Sequence, residues 1–264
     1  MYLKHWGLND SPFRGGLDPR QYYTGSTQEE ALARMQFLVV ERRRLGLLLG
    51  EPGTGKSLLL QVLKRDIEST GAKAALASLL GVEADEFAPL LCDAFRLSVP
   101  DFANPWQSLV SHVNENRFQQ LSTVVLLDDV NAPSKALRDQ IARLAQLDGA
   151  STARFTILLA LSSENVSHLG HRLLELAELR IDLEPWSLEE SIGYLRRSLE
   201  KAGSTKPVFS EAALHRLHEL SEGIPRRIKQ LADLALLAGA GQQLEQIDAD
   251  TVEVATHELG IVTI

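Results

Sequence analysis

Cysteine and long apolar runs are nearly absent from this chain, and each absence excludes a class of protein. Cys92 is the only cysteine, so no disulfide can form within the chain. With Leu90, Leu91 and Phe95 around it, Cys92 is expected to be a buried thiol of the kind found in a reducing cytoplasm. No apolar run approaches the roughly 20 residues that a membrane-spanning helix needs, and the first residues lack the apolar region of a secretory leader. The sequence therefore predicts a cytoplasmic protein that reaches a membrane only through a partner.

Positive charge is also scarce. The chain has 27 Lys and Arg against 35 Asp and Glu, a formal net charge of −8 at pH 7. This balance disfavours nonspecific binding to DNA or to an anionic membrane. The densest basic run is Arg42–Arg44, which we interpret as the solvated end of a helix, with contact to nucleic acid or to a protein partner as the alternative.

The sequence from Gly50 to Ser57 matches the phosphate-binding pattern G-x-x-x-x-G-K-[ST]. An apolar stretch, Leu45–Leu49, precedes it, and an amphipathic stretch, Leu58–Lys64, follows it, so strand, turn and helix are expected in that order. Glycines let backbone N–H groups close around phosphate oxygens, and the start of the helix favours the same anion. Lys56 is expected to reach the β and γ phosphates of a nucleotide, and Ser57 to ligate Mg²⁺. The predicted nucleotide-binding residues of this loop are Gly50, Glu51, Pro52, Gly53, Thr54, Gly55, Lys56, Ser57 and Leu58.

Two further apolar stretches end in polar residues. Thr123–Leu127 precedes Asp128 and Asp129, and Phe155–Leu161 precedes Ser162. Strands that are apolar on both faces and alternate with helices indicate a parallel sheet covered on both sides, whose ligands bind at the carboxyl ends of the strands. Asp128 is thus expected to hold Mg²⁺, directly or through water, and Asp129 to polarise the attacking water. Ser162 is expected to hydrogen-bond that water or the γ-phosphate.

The remaining pattern predicts the other elements and two domains. Thr27 and Glu30 read as a capping box that starts a helix ending at Val40. An α/β domain is expected over residues 1–185, including an irregular opening segment packed on it, and an all-helical domain over 186–264. The other predicted elements are a strand at Ala74–Leu79 and helices near 85–97 and 106–121, then at Leu188–Ala202, Ser210–Ser221, Pro225–Ala238 and Asp248–Leu259, with Ser210 and Asp248 as N-caps.

Several motifs together resemble one family. They are the opening residues 1–3, 6–8 and 11–13, the tyrosines 22 and 23, the phosphate loop, the acidic strand end, residues 185–190, and Gly223-Ile224-Pro225-Arg226. On these residues the chain resembles the AAA+ ATPases of the general secretion pathway protein A (ExeA-like) family over nearly its whole length. The phosphate loop is shared by many families, whereas the opening motif and the Gly-x-Pro-Arg motif are more specific.

The resemblance implies a P-loop NTPase domain followed by a helical lid, with ATP and Mg²⁺ as cofactors and the nucleotide in the crevice between them. Arg226 matches the arginine of the lid that contacts the γ-phosphate. Tyr22 or Tyr23 is expected either to stack on the adenine or to pack against the sheet. A homo-oligomer that binds ATP or ADP is implied, with a protein partner in secretion or envelope assembly.

Three departures from the family pattern predict slow hydrolysis. Asp129 stands where the family usually has Glu, so its carboxylate is one methylene shorter. Ser162 stands where relatives carry Gln. The position of an arginine that acts on a neighbouring subunit's ATP is matched by Leu176, which leaves Arg172 and Arg180 as substitutes.

The leading functional hypothesis is therefore a Mg²⁺-dependent ATPase that couples nucleotide state to a secretion or envelope-assembly partner. One alternative is an ATP-dependent DNA-binding regulator of the transposition type, favoured by the lid pattern and by Arg42–Arg44 and opposed by the net charge. The other is a nonhydrolysing nucleotide switch, favoured by Asp129 and Leu176.

Overall fold

A computed structural model of the chain describes residues 2–16, 19, 22–100, 103–147 and 154–258. The contacts divide the chain into two compact units, described here separately. The sheet unit is Leu17–Pro52 with Lys56–Leu183. The helical unit is Met1–Gly16, Gly53–Gly55 and Glu184–Ile264.

The described residues of the sheet unit form five parallel strands: β1 Leu45–Gly50, β2 Lys73–Ser78, β3 Thr123–Asp128, β4 Phe155–Ser162 and β5 Leu179–Asp182. Across the sheet these strands lie in the order β2-β3-β4-β1-β5. Strands β1, β3 and β4 are buried along their whole length, as expected of parallel strands covered on both faces. The predicted α/β fold class with helices at its carboxyl end is confirmed. The four-residue strand β5 was not predicted, because it is too short and too exposed to show a pattern.

Helices cover both faces of this sheet. The described helices of the unit are α2 Ser26–Val40, α3 Lys56–Ser69, α4 Phe87–Ala94, α5 Pro105–Phe118, α6 Lys135–Leu144 and α7 Gly170–Leu176, with a 3-10 helix at Ser163–Leu169. Met35 and Leu38 of α2 lie with Leu59 and Leu63 of α3 in the core on one face. The core on the other face takes its helical residues from α4, α5, α6, α7 and the 3-10 helix.

Two details of the sheet unit differ from the sequence prediction. Helix α2 begins at Ser26 with Gly25 as its N-cap and no side-chain cap, so the capping box from Thr27 is wrong. Gly25 is buried and extended, at φ −92° and ψ 166°, and as the N-cap it starts the helix two residues before the predicted cap at Thr27. Helix α6 was missed, although Leu137, Ile141 and Leu144 have helical spacing and Ser134 caps the helix through the N–H of Leu137 at 3.2 Å.

The helical unit contains the four predicted helices and a fifth that was not predicted. The caps at Ser210 and Asp248 are confirmed, since Ser210 accepts from the N–H of Ala213 at 3.1 Å and Asp248 from that of Thr251 at 2.9 Å. The helices are α1 Tyr2–Trp6, α8 Leu188–Lys201, α9 Glu211–Ser221, α10 Pro225–Gly241 and α11 Ala249–Glu258. The predicted end at Leu259 lies outside the described residues. Among the described helices, none combines the length and the apolar character needed to cross a bilayer.

The opening segment packs differently from the prediction. Residues 2–16 group with the helical unit rather than with the sheet. The indole N–H of Trp6 donates to the carbonyl of Leu236 at 2.9 Å, and Phe13 lies 6.3 Å from Tyr194, ring centroid to ring centroid. Buried aromatic side chains need an apolar surface, and α8 and α10 supply it here.

Candidate active site

The phosphate-loop sequence forms a tight turn between β1 and α3. Gly53 and Gly55 have φ of 98° and 106°, values that glycine adopts at little cost and other residues rarely adopt. A Cβ on Gly55 would meet no atom within 4 Å, so its backbone angle alone explains the glycine. The first N–H groups of α3, from Lys56 onward, have no acceptor within the helix. A turn of this kind ahead of a helix is a favourable place for an anion.

Lys56 is held across the loop by backbone carbonyls. Its Nζ donates to the carbonyl oxygens of Gly50, at 2.8 Å, and Glu51, at 2.9 Å. Glu51 and Pro52 themselves are exposed, and Lys56, Ser57 and Leu58 are half-buried. The ammonium group is therefore fixed beside the loop before any ligand arrives.

Asp128 ends β3 as a buried carboxylate beside the start of α3. It accepts a hydrogen bond from the N–H of Asp129 at 3.0 Å. Burial raises the pKa of Asp128 and the charge of Asp129 adds to the rise, whereas the nearby Ser57 hydroxyl, the N–H of Asp129 and the charge of Lys56 oppose it. Lys56, Ser57 and Asp128 thus lie close together in the sheet unit.

Asp129 stands in a left-handed conformation, with φ at 56°. Its carboxylate accepts a hydrogen bond from the Ser78 hydroxyl at 3.0 Å, and the same hydroxyl oxygen accepts from the N–H of Leu80 at 3.3 Å. Ser78 was missed by the sequence reasoning. Ser78 ends β2 in the structure, one residue before the predicted strand end at Leu79.

Ser162 ends β4, which lies between β1 and β3. It is the register partner of Gly50 and is buried. Its backbone N–H donates to the side-chain oxygen of Asn131 at 2.8 Å. Asn131 was also missed, and it joins the segment after β3 to the end of β4. The carboxyl ends of β1, β3 and β4 therefore bring the phosphate loop, Asp128 and Ser162 to one edge of the sheet.

Arg226 is the second residue of α10 and is exposed. Within the helical unit, its backbone N–H donates to the carbonyl of Gly53 at 3.2 Å. A Cβ on Gly53 would lie 3.0 Å from Cβ of Arg226 and from Cγ2 of Ile224, so glycine is favoured there by space as well as by its backbone angle. The contact of the Arg226 guanidinium with a γ-phosphate remains a prediction.

Of the two predicted roles, stacking on the adenine or packing against the sheet, the structure shows packing for Tyr22. It is half-buried against the core formed with α2 and α3, and burial raises its pKa to about 12. The thiol of Cys92 is buried, as predicted, and burial raises its pKa.

Leu176, at the position where the resemblance implies an arginine, packs against the core on the α4 side of the sheet. Arg172 and Arg180 are the two predicted substitutes for that arginine. Arg180 is paired with Asp182 at 2.7 Å, whereas Arg172 is exposed and has no ion pair within the described part of the chain. The basic run Arg42–Arg44 follows the end of α2. Its Arg43 is exposed and lies 3.4 Å from the Glu178 carboxylate, which favours the interpretation as a solvated helix end.

The donor atoms suit Mg²⁺. The Ser57 hydroxyl and the Asp128 carboxylate are oxygen ligands, which this cation prefers, and it completes its shell with phosphate oxygens and water. A cation would also offset the cost of keeping Asp128 ionised while it is buried.

Comparison with known proteins defines the class. Residues 40–169 match the family model described as an AAA domain. The Aeropyrum pernix ORC2 protein, solved in ADPNP–ADP complexes, superposes with a TM-score of 0.73 at 16% identity, over 98% of this chain and 74% of that one. With its parallel sheet and phosphate-loop sequence, the chain has the fold of the AAA+ P-loop NTPases.

One sequence relative matches nearly the whole chain. The chain is 28% identical over 266 residues to General secretion pathway protein A of Aeromonas hydrophila, covering 98% of this chain. It spans 48% of the length of that relative. The resemblance drawn from the sequence motifs is therefore confirmed. The fold is also shared with the Aeropyrum pernix ORC1 protein, solved in complex with DNA, with a TM-score of 0.69 at 17% identity over 90% of this chain and 67% of that one.

Proposed function

We propose that this protein is a Mg²⁺-dependent ATPase that couples its nucleotide state to a protein partner in secretion or envelope assembly. The observation that carries the proposal is the proximity of Lys56, Ser57 and Asp128, since the Ser57 hydroxyl and the Lys56 charge both act on the buried Asp128 carboxylate. A fixed ammonium, a hydroxyl and a carboxylate at the start of a helix are the groups that binding a nucleoside triphosphate requires.

Each residue has a distinct proposed role. Lys56 neutralises phosphate charge, and Ser57 and Asp128 hold Mg²⁺, which when bound offsets the charge on the β and γ phosphates. Asp129 orients the attacking water. Ser162 donates to that water or to the γ-phosphate, and Arg226 responds to the γ-phosphate.

The relative supports the proposed partner and setting. The Aeromonas hydrophila protein is named for the general secretion pathway, and we propose a partner of that kind for this chain. We also propose that copies of the chain assemble into a homo-oligomer, as AAA+ relatives do. A cytoplasmic location is proposed because ATP is supplied there and because Cys92 is a free thiol.

Replacement of Lys56 by alanine tests the ATPase. We expect turnover to fall by about 100-fold or more, because the charge that stabilises the transferring phosphoryl group is removed. Phosphate release and nucleotide affinity are measured over a series of protein concentrations. The matched control is Lys135→Ala, which removes an exposed lysine from the start of α6. ATP turnover that survives Lys56→Ala unchanged would refute the proposal, and turnover per molecule that rises with concentration would support the oligomer.

A nonhydrolysing switch is the second candidate, and the observation that favours it is the carboxylate of Asp129. This group is short and is hydrogen-bonded to Ser78 at 3.0 Å. The switch shares the site with the ATPase but predicts tight nucleotide binding with negligible turnover at every concentration. We do not favour the DNA-binding alternative, because Arg43 is paired with Glu178 and the net charge is −8.

Lengthening the carboxylate separates these two candidates. If the reach of Asp129 limits hydrolysis, Asp129→Glu is expected to raise turnover by about tenfold with little change in nucleotide affinity. Asp129→Asn is the control, since it keeps the length and removes the basic oxygen, and it is expected to lower any residual turnover. Equal rates for wild type and Asp129→Glu would show that carboxylate length is not the limit.

A further inference from the structure

A cavity of about 460 Å³ opens in the sheet unit at the start of β2. Helix α3 contributes Lys64 to its lining, and the segment after α4 contributes Phe95 and Arg96. Lys73, the first residue of β2, also lines it, whereas Ser78 at the other end of β2 contacts Asp129. Five steps along a strand span about 17 Å, so this cavity is separate from the candidate active site.

The residues that line the cavity carry more positive than negative charge, with Lys64, Lys73 and Arg96 against Glu68. Lys64 is paired with Glu68, Nζ to carboxylate oxygen at 2.5 Å, so these two charges cancel. Lys73 and Arg96 are exposed, and neither forms an ion pair with any residue that the structure describes. Two exposed cations without an ion-pair partner beside one cavity make this place locally favourable for an anion.

The wall beside these cations is aromatic and fixed in position. The rings of Phe95 and His112 lie 5.0 Å apart, centroid to centroid. The side-chain amide of Asn116 lies 3.1 Å from Nε2 of His112 and donates to the Thr123 hydroxyl at 3.0 Å. With this amide donating to Nε2, the neutral ring carries its proton on Nδ1. Burial lowers the pKa of His112, which favours that neutral form.

We propose that this cavity binds a phosphorylated small molecule, with its phosphoryl group held by Lys73 and Arg96 and its organic part against Phe95 and His112. The volume is in the range of small-ligand sites, about 300 to 1,000 Å³. The two negative charges of a phosphoryl group match the two cations. The planar guanidinium of Arg96 can donate parallel hydrogen bonds to two phosphoryl oxygens. This site is independent of ATP binding at the phosphate loop and of the function proposed above.

Phenyl phosphate is the probe, because it carries a phosphoryl dianion and an aromatic ring. It is titrated into the ¹⁵N-labelled protein with saturating ADP present, and the amide signals of residues 71–74 and 95–96 report the site. We expect saturable shifts of these signals with a dissociation constant of about 1 mM or lower. Phenylacetate, which has the ring but a carboxylate instead, is expected to bind at least about fivefold more weakly. Shifts that do not saturate by about 10 mM, or equal binding of phenylacetate, would overturn the proposal.

A charge-matched pair of variants provides the control. Arg96 has a φ of 57°, which glycine adopts readily, so Lys73→Gln with Arg96→Gly removes both cations without straining the backbone. This variant is expected to bind phenyl phosphate about tenfold more weakly, with its melting temperature retained. Lys135→Gln with Arg197→Gln removes two exposed cations elsewhere and is expected to change binding by less than about twofold. Equal weakening in both variants would show that net charge, and not this cavity, governs the binding.

Discussion

Asp128→Asn is expected to lower Mg²⁺-dependent ATP turnover by about 100- to 1,000-fold. The amide keeps the size of the side chain and an oxygen acceptor, but it removes the negative charge from the proposed metal site. Nucleotide affinity without Mg²⁺ is expected to change little, because Lys56 and the loop backbone are untouched. Asp139→Asn is the matched control: it makes the same change at an exposed position on α6.

The same substitution is expected to stabilise the fold at neutral pH. Burial raises the pKa of Asp128 above its unfolded value, so the native state binds this proton more readily than the unfolded state does. Stability then falls as pH rises from the unfolded pKa through the folded one, and the full cost of the buried charge is present at neutral pH. Asparagine removes that cost. Urea denaturation should therefore show an advantage for Asp128→Asn that is largest at neutral pH and shrinks on acidification. A less stable variant at neutral pH, or unchanged Mg²⁺-dependent turnover, would contradict this account.

Gly223→Ala is expected to destabilise the helical unit by about 3 kcal/mol or more. Gly223 has a φ of 70°, and a Cβ there would lie 2.2 Å from the carbonyl oxygen of Trp186. The backbone cannot move aside easily, because Gly223 donates to the carbonyl of His218 at 3.2 Å and accepts from the N–H of Trp186 at 2.9 Å. The strained angle and the overlap with a backbone atom therefore add.

Gly7→Ala isolates the overlap from the angle. Gly7 belongs to the same unit, has a φ of 65°, and would bring its Cβ within 4 Å of nothing. Its expected cost is the left-handed conformation alone, about 1 to 2 kcal/mol. Urea denaturation of the two variants measures the difference. Equal losses of stability would mean that the Trp186 carbonyl yields, and that the glycine of the Gly-x-Pro-Arg motif is required only for its backbone angle.

The sequence predicted best the features that local pattern determines. The phosphate loop, the buried strands β1, β3 and β4, and the meeting of Ser57 with Asp128 follow from apolar runs, a motif and the rule that parallel strands end at one edge. Ser78 and Asn131 could not be assigned in this way, because their contacts depend on strand order. Only the placement of β2 beside β3 brings Ser78 to Asp129, and nothing within either stretch specifies that neighbour.

The predicted packing of the opening segment differs from the structure for a related reason. Trp6 and Phe13 indicate that residues 2–16 must be buried against something, but an aromatic side chain does not specify which apolar surface it meets. The hydrogen bond from Trp6 to Leu236 and the contact of Phe13 with Tyr194 involve partners more than 150 residues further along the chain. Spacing within the sequence carries no information about such partners.

Strand β4 separates the two strands that bring Lys56 and Asp128 to the site. Its residue Ala160 is the register partner of Leu48 in β1, and its carbonyl accepts from the N–H of Val130 at 3.0 Å. The distance between the phosphate loop and the acidic strand end is thus maintained by interior side chains that would touch no ligand. A screen that scores only activity would consequently recover inactive variants in β4 and mistake packing defects for lost chemistry, so variants of this protein need paired readouts of rate and of folding.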